Sequence, residues 1–282
     1  WGCKMTGPEI RSEEEQPLPC VAPCRTLAPT APLRWLREGW LDYRAAPLAS
    51  ITYGLVVAMI VWAAGAFVLK YGGGWLLLAM LSGFVFLGPV LCLGLYAISA
   101  QLERRQPVSI ARSVRESGKR RLATELVFAL ILLVVFLTWA RAGSMMSVFM
   151  PMEADPQLSE LLSYLGIGSV VGAFFAAVTF SASAFSLPMI MHRDVDAVTA
   201  VVTSINAVLR NKLAMAIWMA LIMLGVVIGF ATVGVGLIVT IPVIGYATWH
   251  AYLETIDASG FPRHAEGITS VPRVRGEEMA GG

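Results

Sequence analysis

The chain has 282 residues, of which 57% are hydrophobic and 14% are charged, and its formal net charge is +2. In soluble domains roughly a quarter of the residues are charged, so this composition excludes an ordinary soluble domain. It is typical of a protein with several transmembrane helices, each of which needs about 20 apolar residues. The net charge is small, and the informative feature is where the basic residues fall along the chain.

Six apolar stretches are long enough to cross the hydrocarbon core of a membrane. They comprise residues 49–69, 74–98, 122–140, 164–189, 213–231 and 235–253. The last two form one apolar run interrupted only around residues 232–234, which we interpret as a transmembrane hairpin with a tight turn. A re-entrant pair of helices is the alternative. The predicted fold is all-α, a polytopic membrane bundle of six transmembrane helices with amphipathic helices on the cytoplasmic side.

Basic residues fall in alternate gaps between these stretches. Of the 21 Lys and Arg residues, only Lys70 and Arg141 lie in the opposite set of gaps. Because cytoplasmic loops of membrane proteins are enriched in Lys and Arg, this pattern predicts that both termini are cytoplasmic.

The chain divides into a membrane domain, residues 31–258, and two polar tails, residues 1–30 and 259–282, which we predict to be disordered. Within the membrane domain, residues 31–47 and 194–212 are predicted to form interfacial helices. In the first, Leu33, Leu36, Trp40 and Tyr43 recur at helical spacing, with Arg on other faces, as in helices that lie in the headgroup plane. Such a helix senses lipid or docks a partner, or it simply anchors the first span.

The loop at residues 101–121 is strongly basic. Its candidate lipid-facing residues are Arg112, Arg115, Lys119, Arg120 and Arg121. Anionic lipid is the expected partner, because the loop lacks the interleaved aromatic residues that stack on nucleic acid bases. Residues 119–131 also resemble residues 210–222, which leaves a duplication or a shared interfacial pattern as explanations.

Ionisable side chains are nearly absent from the interior of the predicted spans. A cluster of suitable types is expected at the cytoplasmic rim, where His192, Arg193 and Asp194 follow the fourth stretch and His250 and Glu254 end the sixth. His192, Asp194, His250 and Glu254 are candidate metal ligands by residue type. The alternative is that these residues are satisfied by water, by headgroups and by one another. No cofactor is predicted.

Small residues at four-residue spacing occur in two of the stretches, and such spacing lets helix backbones approach closely. These are Gly168, Gly172 and Ala176 in the fourth stretch, and Gly225 and Gly229 in the fifth. We interpret them as packing positions within the bundle, with a homodimer interface as the alternative. Three prolines, Pro89, Pro188 and Pro242, are expected to kink or end the second, fourth and sixth stretches.

Several motifs resemble those of a known bacterial family. They are Ala31-Pro32-Leu33-Arg34-Trp35-Leu36, Leu187-Pro188-Met189 and Ala247-Thr248-Trp249-His250. They are similar to motifs of predicted six-span integral membrane proteins catalogued as domain of unknown function twenty-one eighty-nine, over about residues 31 to 258. The resemblance implies the architecture and an inner-membrane location, and no activity. Some members carry the label cytochrome c oxidase subunit I, which we reject here because the chain has three His in all.

The sequence contains no catalytic motif, and no catalytic residue is predicted. We expect a non-enzymatic scaffold or accessory protein of the bacterial inner membrane whose cytoplasmic side contacts anionic lipid. One alternative is a small-solute or lipid transporter with a path along Thr179, Ser183 and Ser186; another is a metal-dependent membrane enzyme at the cytoplasmic rim. A membrane-protein partner and a homo-oligomer both stay open, and no nucleic acid partner is expected.

Overall fold

A computed structural model describes residues 19–72, 74–105, 108, 122–146 and 158–262. Within these ranges the chain is helical and forms no β-sheet, as the composition predicted. The described ranges contain ten helices, which are α1 (Ala31–Ala45), α2 (Pro47–Tyr71), α3 (Gly74–Leu91), α4 (Leu93–Glu103), α5 (Leu122–Met146), α6 (Leu158–Ser183), α7 (Ser186–His192), α8 (Ala197–Arg210), α9 (Lys212–Ala231) and α10 (Leu237–Thr255).

Five stretches of the described chain are long and apolar enough to cross a membrane. They are Pro47–Tyr71, Phe86–Glu103, Leu126–Met145, Leu165–His192 and Lys212–Ala231. The sixth predicted span corresponds to α10, which is not among them, because its second half contains polar residues such as His250 and Glu254. Length and apolarity alone therefore give five candidate spans and not the six expected.

Helix α10 lies at the centre of the described bundle, in contact with α1, α2, α4 and α9. Two glycines on neighbouring helices allow the backbones to touch. At Gly39 of α1, a Cβ atom would lie 2.5 Å from the Val243 carbonyl oxygen and 2.7 Å from the Ala247 nitrogen. Gly54 of α2 lies against the backbone of Ile238. The Ile238 carbonyl lacks its helical hydrogen bond because Pro242, four residues later, has no N–H. Since α10 is enclosed by protein, its polar residues need not face lipid.

Two of the long apolar stretches are broken, and a neighbouring hydroxyl occupies each break. Pro89 lies three residues before the turn at Cys92 that separates α3 from α4, and the Tyr53 hydroxyl donates to the Leu91 carbonyl there at 2.5 Å. The second break separates α6 from α7, just before Pro188. There the Ser204 hydroxyl accepts from the Phe185 N–H at 3.1 Å and donates to the Ser181 carbonyl at 2.7 Å.

Residues 19–30, which were expected to be disordered, are packed against the helices and form what we call the N-terminal strap. Ala22 and Cys24 are buried, and the Ala22 N–H donates to the Thr203 hydroxyl at 3.1 Å. Asn211 holds the strap from both sides, since it accepts from the Leu27 N–H at 2.8 Å and donates to the Arg25 carbonyl at 3.0 Å. The expectation of disorder is therefore wrong for this segment: its main chain finds hydrogen-bonding partners on α8 and at the start of α9.

The segment after α10 is also packed as far as the structure describes it. An isolated antiparallel bridge joins Cys24 to Ile256, and the Asp257 N–H donates to the Pro23 carbonyl at 2.9 Å. Phe261 is buried, and the Pro262 carbonyl accepts from the Asp194 N–H at 3.0 Å. Residues 259–262 are thus ordered, contrary to the predicted boundary, and the two ends of the described chain are in direct contact.

Candidate functional site

Polar contacts among the described side chains concentrate at one end of the bundle, which we call the base. The base consists of the N-terminal strap, α1, α7 and α8, together with the last turns of α4 and α10 and the first turns of α9. The rim residues singled out by sequence all lie here. The structure gives each of them a separate set of partners.

His250 pairs with an aspartate that the sequence alone did not single out. Its Nε2 atom lies 2.9 Å from the Asp42 Oδ2 atom, and both side chains are largely buried. The buried Ser99 hydroxyl donates to the same carboxylate oxygen. The carboxylate therefore lies between the hydroxyl and the imidazole, whereas an activated serine nucleophile needs the imidazole between them. The contacts join α1, α4 and α10 at one point.

Glu254 connects α10 to the first turn of α1. It forms an ion pair with Arg34 and accepts from the Trp35 indole N–H at 2.8 Å. Trp35 is buried and lies edge-on to Trp218 of α9, with ring centroids 5.7 Å apart. The exposed ion pair contributes little by itself. The buried Trp35–Trp218 contact joins the same turn of α1 to α9, so this part of α1 is attached to both α9 and α10.

His192, at the end of α7, contacts aromatic residues of α10. Its Nδ1 atom lies 3.0 Å from the Tyr252 hydroxyl, and its ring lies edge-on to Trp249. The Trp249 indole N–H donates to Glu103 of α4 at 3.2 Å. Within the described residues, no group of three or more His, Cys, Asp or Glu side chains could hold a metal ion. His192, Asp194, His250 and Glu254 are thus at one end of the bundle, as predicted, but do not form a common ligand set.

The chain around Arg193 and Asp194 has a role in holding the C-terminal segment. The Arg193 guanidinium donates to the Phe261 carbonyl at 2.9 Å, and the Asp194 main chain binds Pro262. Asp194 itself is exposed. These contacts attach residues 261–262 to the end of α7, which no sequence signal indicated.

Helix α1 has two faces of different character. Trp35, Gly39 and Asp42 face the protein, whereas Leu33, Trp40 and Leu41 are exposed. Arg37 and Arg44 are exposed as well. The predicted apolar face of this helix is therefore its outer face, and its inner face carries the contacts to α10.

Helix α8 is arranged in the same way. Its small residues pack inward, and they include Ala200, Thr203, Ser204 and Ala207. Three of its larger apolar residues, Val198, Val202 and Leu209, are exposed, whereas Val201 is buried. In a water-soluble protein the larger apolar side chains would face the core. An outer face of this kind suits contact with lipid.

The predicted helix-packing residues differ in what they contact. Gly225 and Gly229 of α9 lie against Ile244 and Leu237, at the interface with α10. A Cβ atom at Gly168 or Gly172 of α6 would meet nothing within 4 Å among the described residues, and Ala176 is partly exposed. The predicted packing inside the bundle is therefore absent for the Gly168 and Gly172 pair within the described part of the chain.

The polar residues of α6 and α7 are in different situations. The Ser186 hydroxyl donates to the Ala182 carbonyl. The Thr179 hydroxyl is buried and has no hydrogen-bonding partner among the described residues. Ser183 is buried too. The basic residues Arg112, Arg115, Lys119, Arg120 and Arg121 lie outside the described residues.

Three groups of the base outside the long apolar helices have shifted pKa values. Burial raises the pKa of the Cys24 thiol, and a hydrogen bond from Asn206 offsets only part of this effect. Hydrogen bonds from Ser259 hold the pKa of Asp257 below its usual range. Partial burial raises the pKa of Asp196, but the hydrogen bonds from Thr199 outweigh it and the net shift is downward. At neutral pH the thiol is thus protonated and both carboxylates are charged.

The comparisons with known proteins agree with this architecture. Residues 76–192, which run from α3 to the end of α7, match the model of a family described as predicted integral membrane protein (DUF2189). The resemblance that the sequence motifs predicted over about residues 31 to 258 is confirmed over these residues. No curated protein and no solved structure matches the chain. The matched region contains three of the five candidate spans of the described chain in full, and most of the base lies outside it.

Proposed function

We propose that this protein is a non-enzymatic scaffold or accessory protein of the bacterial inner membrane, with its base resting on the anionic cytoplasmic leaflet. The observation that carries the proposal is the two-faced arrangement of α1. One face binds α10 through Trp35, Gly39 and Asp42, and the other presents Trp40 and Leu41 beside basic residues.

The contact between the two ends of the described chain bears on the number of spans. The Arg25 N–H donates to the Thr255 carbonyl at 2.8 Å, so the strap and the end of α10 lie on the same side of any membrane. A chain whose ends meet crosses an even number of times, and five crossings are incompatible with this contact. Six spans give an even number of crossings. Four spans do so as well, if the remaining two helices form a hairpin that enters and leaves the membrane on the same side.

The distribution of basic residues supports a cytoplasmic base. Lys70 and Arg141 lie near the ends of α2 and α5 that are remote from the base. The other Lys and Arg residues lie in α1, at the junction of α8 and α9, or in the tails and the remaining loops. Anionic headgroups attract such residues by about 1 kcal/mol per charge near the surface. The exposed apolar residues of α1 and α8 would lie at the boundary between headgroups and acyl chains.

Lipid retention by the purified full-length chain tests this proposal. The protein is extracted in mild detergent from membranes of mixed anionic and zwitterionic lipid, and the retained lipids are quantified by mass spectrometry. We expect the anionic fraction to fall several-fold in the double variant Arg37→Glu, Arg44→Glu, since each charge is worth roughly fivefold in binding. The quadruple variant Arg112→Glu, Arg115→Glu, Lys119→Glu, Arg120→Glu extends the test to the basic loop.

The double variant Lys70→Glu, Arg141→Glu is the matched control, because it reverses two basic residues remote from the base. It should retain nearly as much anionic lipid as the unaltered protein. Equal retention by all of these variants, or equal loss in the control, would contradict an anionic-lipid surface at the base.

A transporter of small solutes or lipids is the second candidate, and one observation favours it. The Thr179 hydroxyl is buried without a partner in the described part of α6, which is where a polar path would need free hydroxyls. Against this, the Ser186 hydroxyl is engaged by a carbonyl of its own helix segment. Flux into liposomes that is lost in Thr179→Val, a substitution of similar volume, would support the transporter.

A further inference from the structure

We infer that α9 and α10 form a re-entrant hairpin whose tip, residues 232–236, stops inside the membrane and returns to the base. The alternative is a pair of complete transmembrane spans. The inference rests on α2 and α3 crossing the membrane, and it does not depend on which side the base occupies.

Two hydrogen bonds fix the position of α10 along α2. Near the base, the hydroxyls of Ser50 and Tyr246 are 2.8 Å apart. Farther along, the Trp62 indole N–H donates to the Val233 carbonyl at 2.7 Å. The tip of the hairpin is therefore level with Trp62. Helix α2 continues for nine residues beyond Trp62, from Ala63 to Tyr71, which is about 13 Å of helix.

Helix α3 gives an independent measure of how far the hairpin tip stops short of the ends of its neighbouring helices. Phe84 contacts Phe230 at the end of α9, with ring centroids 5.3 Å apart. Helix α3 begins ten residues before Phe84, at Gly74, so about 15 Å of it lies beyond this contact. Both neighbours thus place the tip roughly 13–15 Å short of the ends of α2 and α3.

The outer ends of α2 and α3 cannot simply project into water. The segment from Ala63 to Leu69 contains no charged or polar residue, and Lys70 is the first charge. Phe67 and Leu69 are 56% and 89% exposed in the protein, and an exposed run of apolar residues of this kind suits contact with lipid. The membrane surface therefore lies near Lys70, well beyond the level of Trp62 and of the hairpin tip.

The hairpin tip meets the condition for non-helical backbone at membrane depth, namely that protein groups satisfy its polar atoms. The main-chain N–H groups of residues 232–238 all donate within the hairpin, that of Gly236 to the Thr232 hydroxyl at 2.7 Å and the others to carbonyls. The Val233 carbonyl accepts from Trp62. The tip has positive φ angles at Val233 and Gly234 and carries no charge, so it is a tight turn without groups that require water.

Helix α10 has an apolar half and a polar half, and this division agrees with a hairpin tip that stops inside the membrane. Between Leu237 and Tyr246 the helix is largely apolar, whereas Thr248, Trp249, His250 and Tyr252 follow Tyr246 within the base. This apolar arm of about ten residues is too short to cross the hydrocarbon core by itself. Helix α9, the other arm, is apolar over 20 residues and long enough to cross, so the inference rests on the level of the tip against α2 and α3 and not on the length of the arms.

Depth measurements on variants with one added cysteine test the hairpin. The full chain carries Cys3→Ser and Cys20→Ser, and the buried Cys24 and Cys92 are retained to preserve the fold. Val235→Cys marks the tip, and Tyr71→Cys and Leu69→Cys mark the end of α2; all three positions are exposed on the protein. In proteoliposomes each cysteine is tested with a membrane-impermeant maleimide and with a fluorophore quenched by lipids that carry nitroxides at shallow or deep acyl positions.

We expect Tyr71→Cys to react with the maleimide and Val235→Cys to be unreactive from either side. The fluorophore at residue 235 should be quenched most by the deep nitroxide and that at residue 69 by the shallow one. Reaction of Val235→Cys from the same side as Tyr71→Cys, together with shallow quenching, would overturn the inference in favour of six spans. If Tyr71→Cys reacts from the same side as residues of the base while Val235→Cys stays deep, α2 does not span, and the premise of the inference fails.

Discussion

At the scale of single residues, the close approach of α1 to α10 depends on Gly39. A Cβ atom at this position would meet backbone atoms of Val243 and Ala247, which cannot move without shifting α10. We expect Gly39→Ala to destabilise the protein by about 1–3 kcal/mol, the usual effect of overpacking. The measurement is thermal unfolding of the purified chain in detergent.

Gly65→Ala on α2 is the matched control for this substitution. A Cβ atom at Gly65 meets nothing within 4 Å of the described residues, so alanine there should be neutral or stabilising by up to about 1 kcal/mol. Similar losses in both variants would show that helix glycine itself matters and that the α1–α10 contact does not.

Residue types at the base could be predicted from the sequence, but their partners could not. His250 and Glu254 were selected because His and carboxylates at the end of an apolar stretch are chemically distinctive. Their actual partners, Asp42 and Arg34, lie more than 200 positions earlier in the chain. No local pattern connects such distant residues, and only the packing of α1 on α10 brings them together.

At the scale of elements, the first turn of α8 depends on Asp196, which caps it by accepting from the Thr199 N–H at 2.9 Å. The folded protein holds the pKa of Asp196 below its usual value. Its charge therefore contributes stability that is complete above the unfolded pKa of about 3.9 and is lost as the pH falls through the folded pKa. We expect Asp196→Ala to cost about 1 kcal/mol at pH 7.

The pH dependence isolates the charge of the cap from its geometry. Asp196→Asn keeps a capping oxygen but does not titrate. The difference in unfolding free energy between the unaltered chain and this variant should be constant above about pH 5 and should shift in favour of the asparagine below about pH 4. A difference that does not change with pH would mean that the charge of Asp196 contributes nothing.

Helical periodicity identified α1 and α8 but did not determine which face of each helix is buried. In α8 the apolar residues Val198, Val202 and Leu209 have the spacing of a core-facing surface and are exposed, whereas Val201 of the same stripe is buried. The reason is that lipid replaces the core as the apolar environment, so that small residues such as Ala200 and Ala207 can pack against protein instead. Apolarity alone cannot distinguish these two environments.

At the scale of the whole molecule, hydropathy identifies the apolar helices well and the central helix poorly. Helices α2, α5 and α9 are exposed to their surroundings along much of their length, and their apolar composition reflects contact with lipid. Helix α10 is enclosed by α1, α2, α4 and α9, so its composition reflects contact with protein. The same enclosure explains why the number of spans cannot be obtained by counting apolar stretches.

At the same scale, the N-terminal strap joins the two ends of the described chain, and Asn211 binds its main chain. Its side chain binds the main chain of Leu27 and Arg25. We expect Asn211→Ala to release the strap and to raise the rate of trypsin cleavage after Arg25 at least several-fold, because a protease needs the chain locally unfolded. Mass spectrometry of the fragment that begins at Thr26 measures this rate.

Asn206→Ala is the control, since that amide reaches the strap only through the Cys24 sulfur at 3.6 Å. Equal cleavage rates in both variants and in the unaltered chain would mean that the contacts of residues 255–257, and not Asn211, hold the ends together.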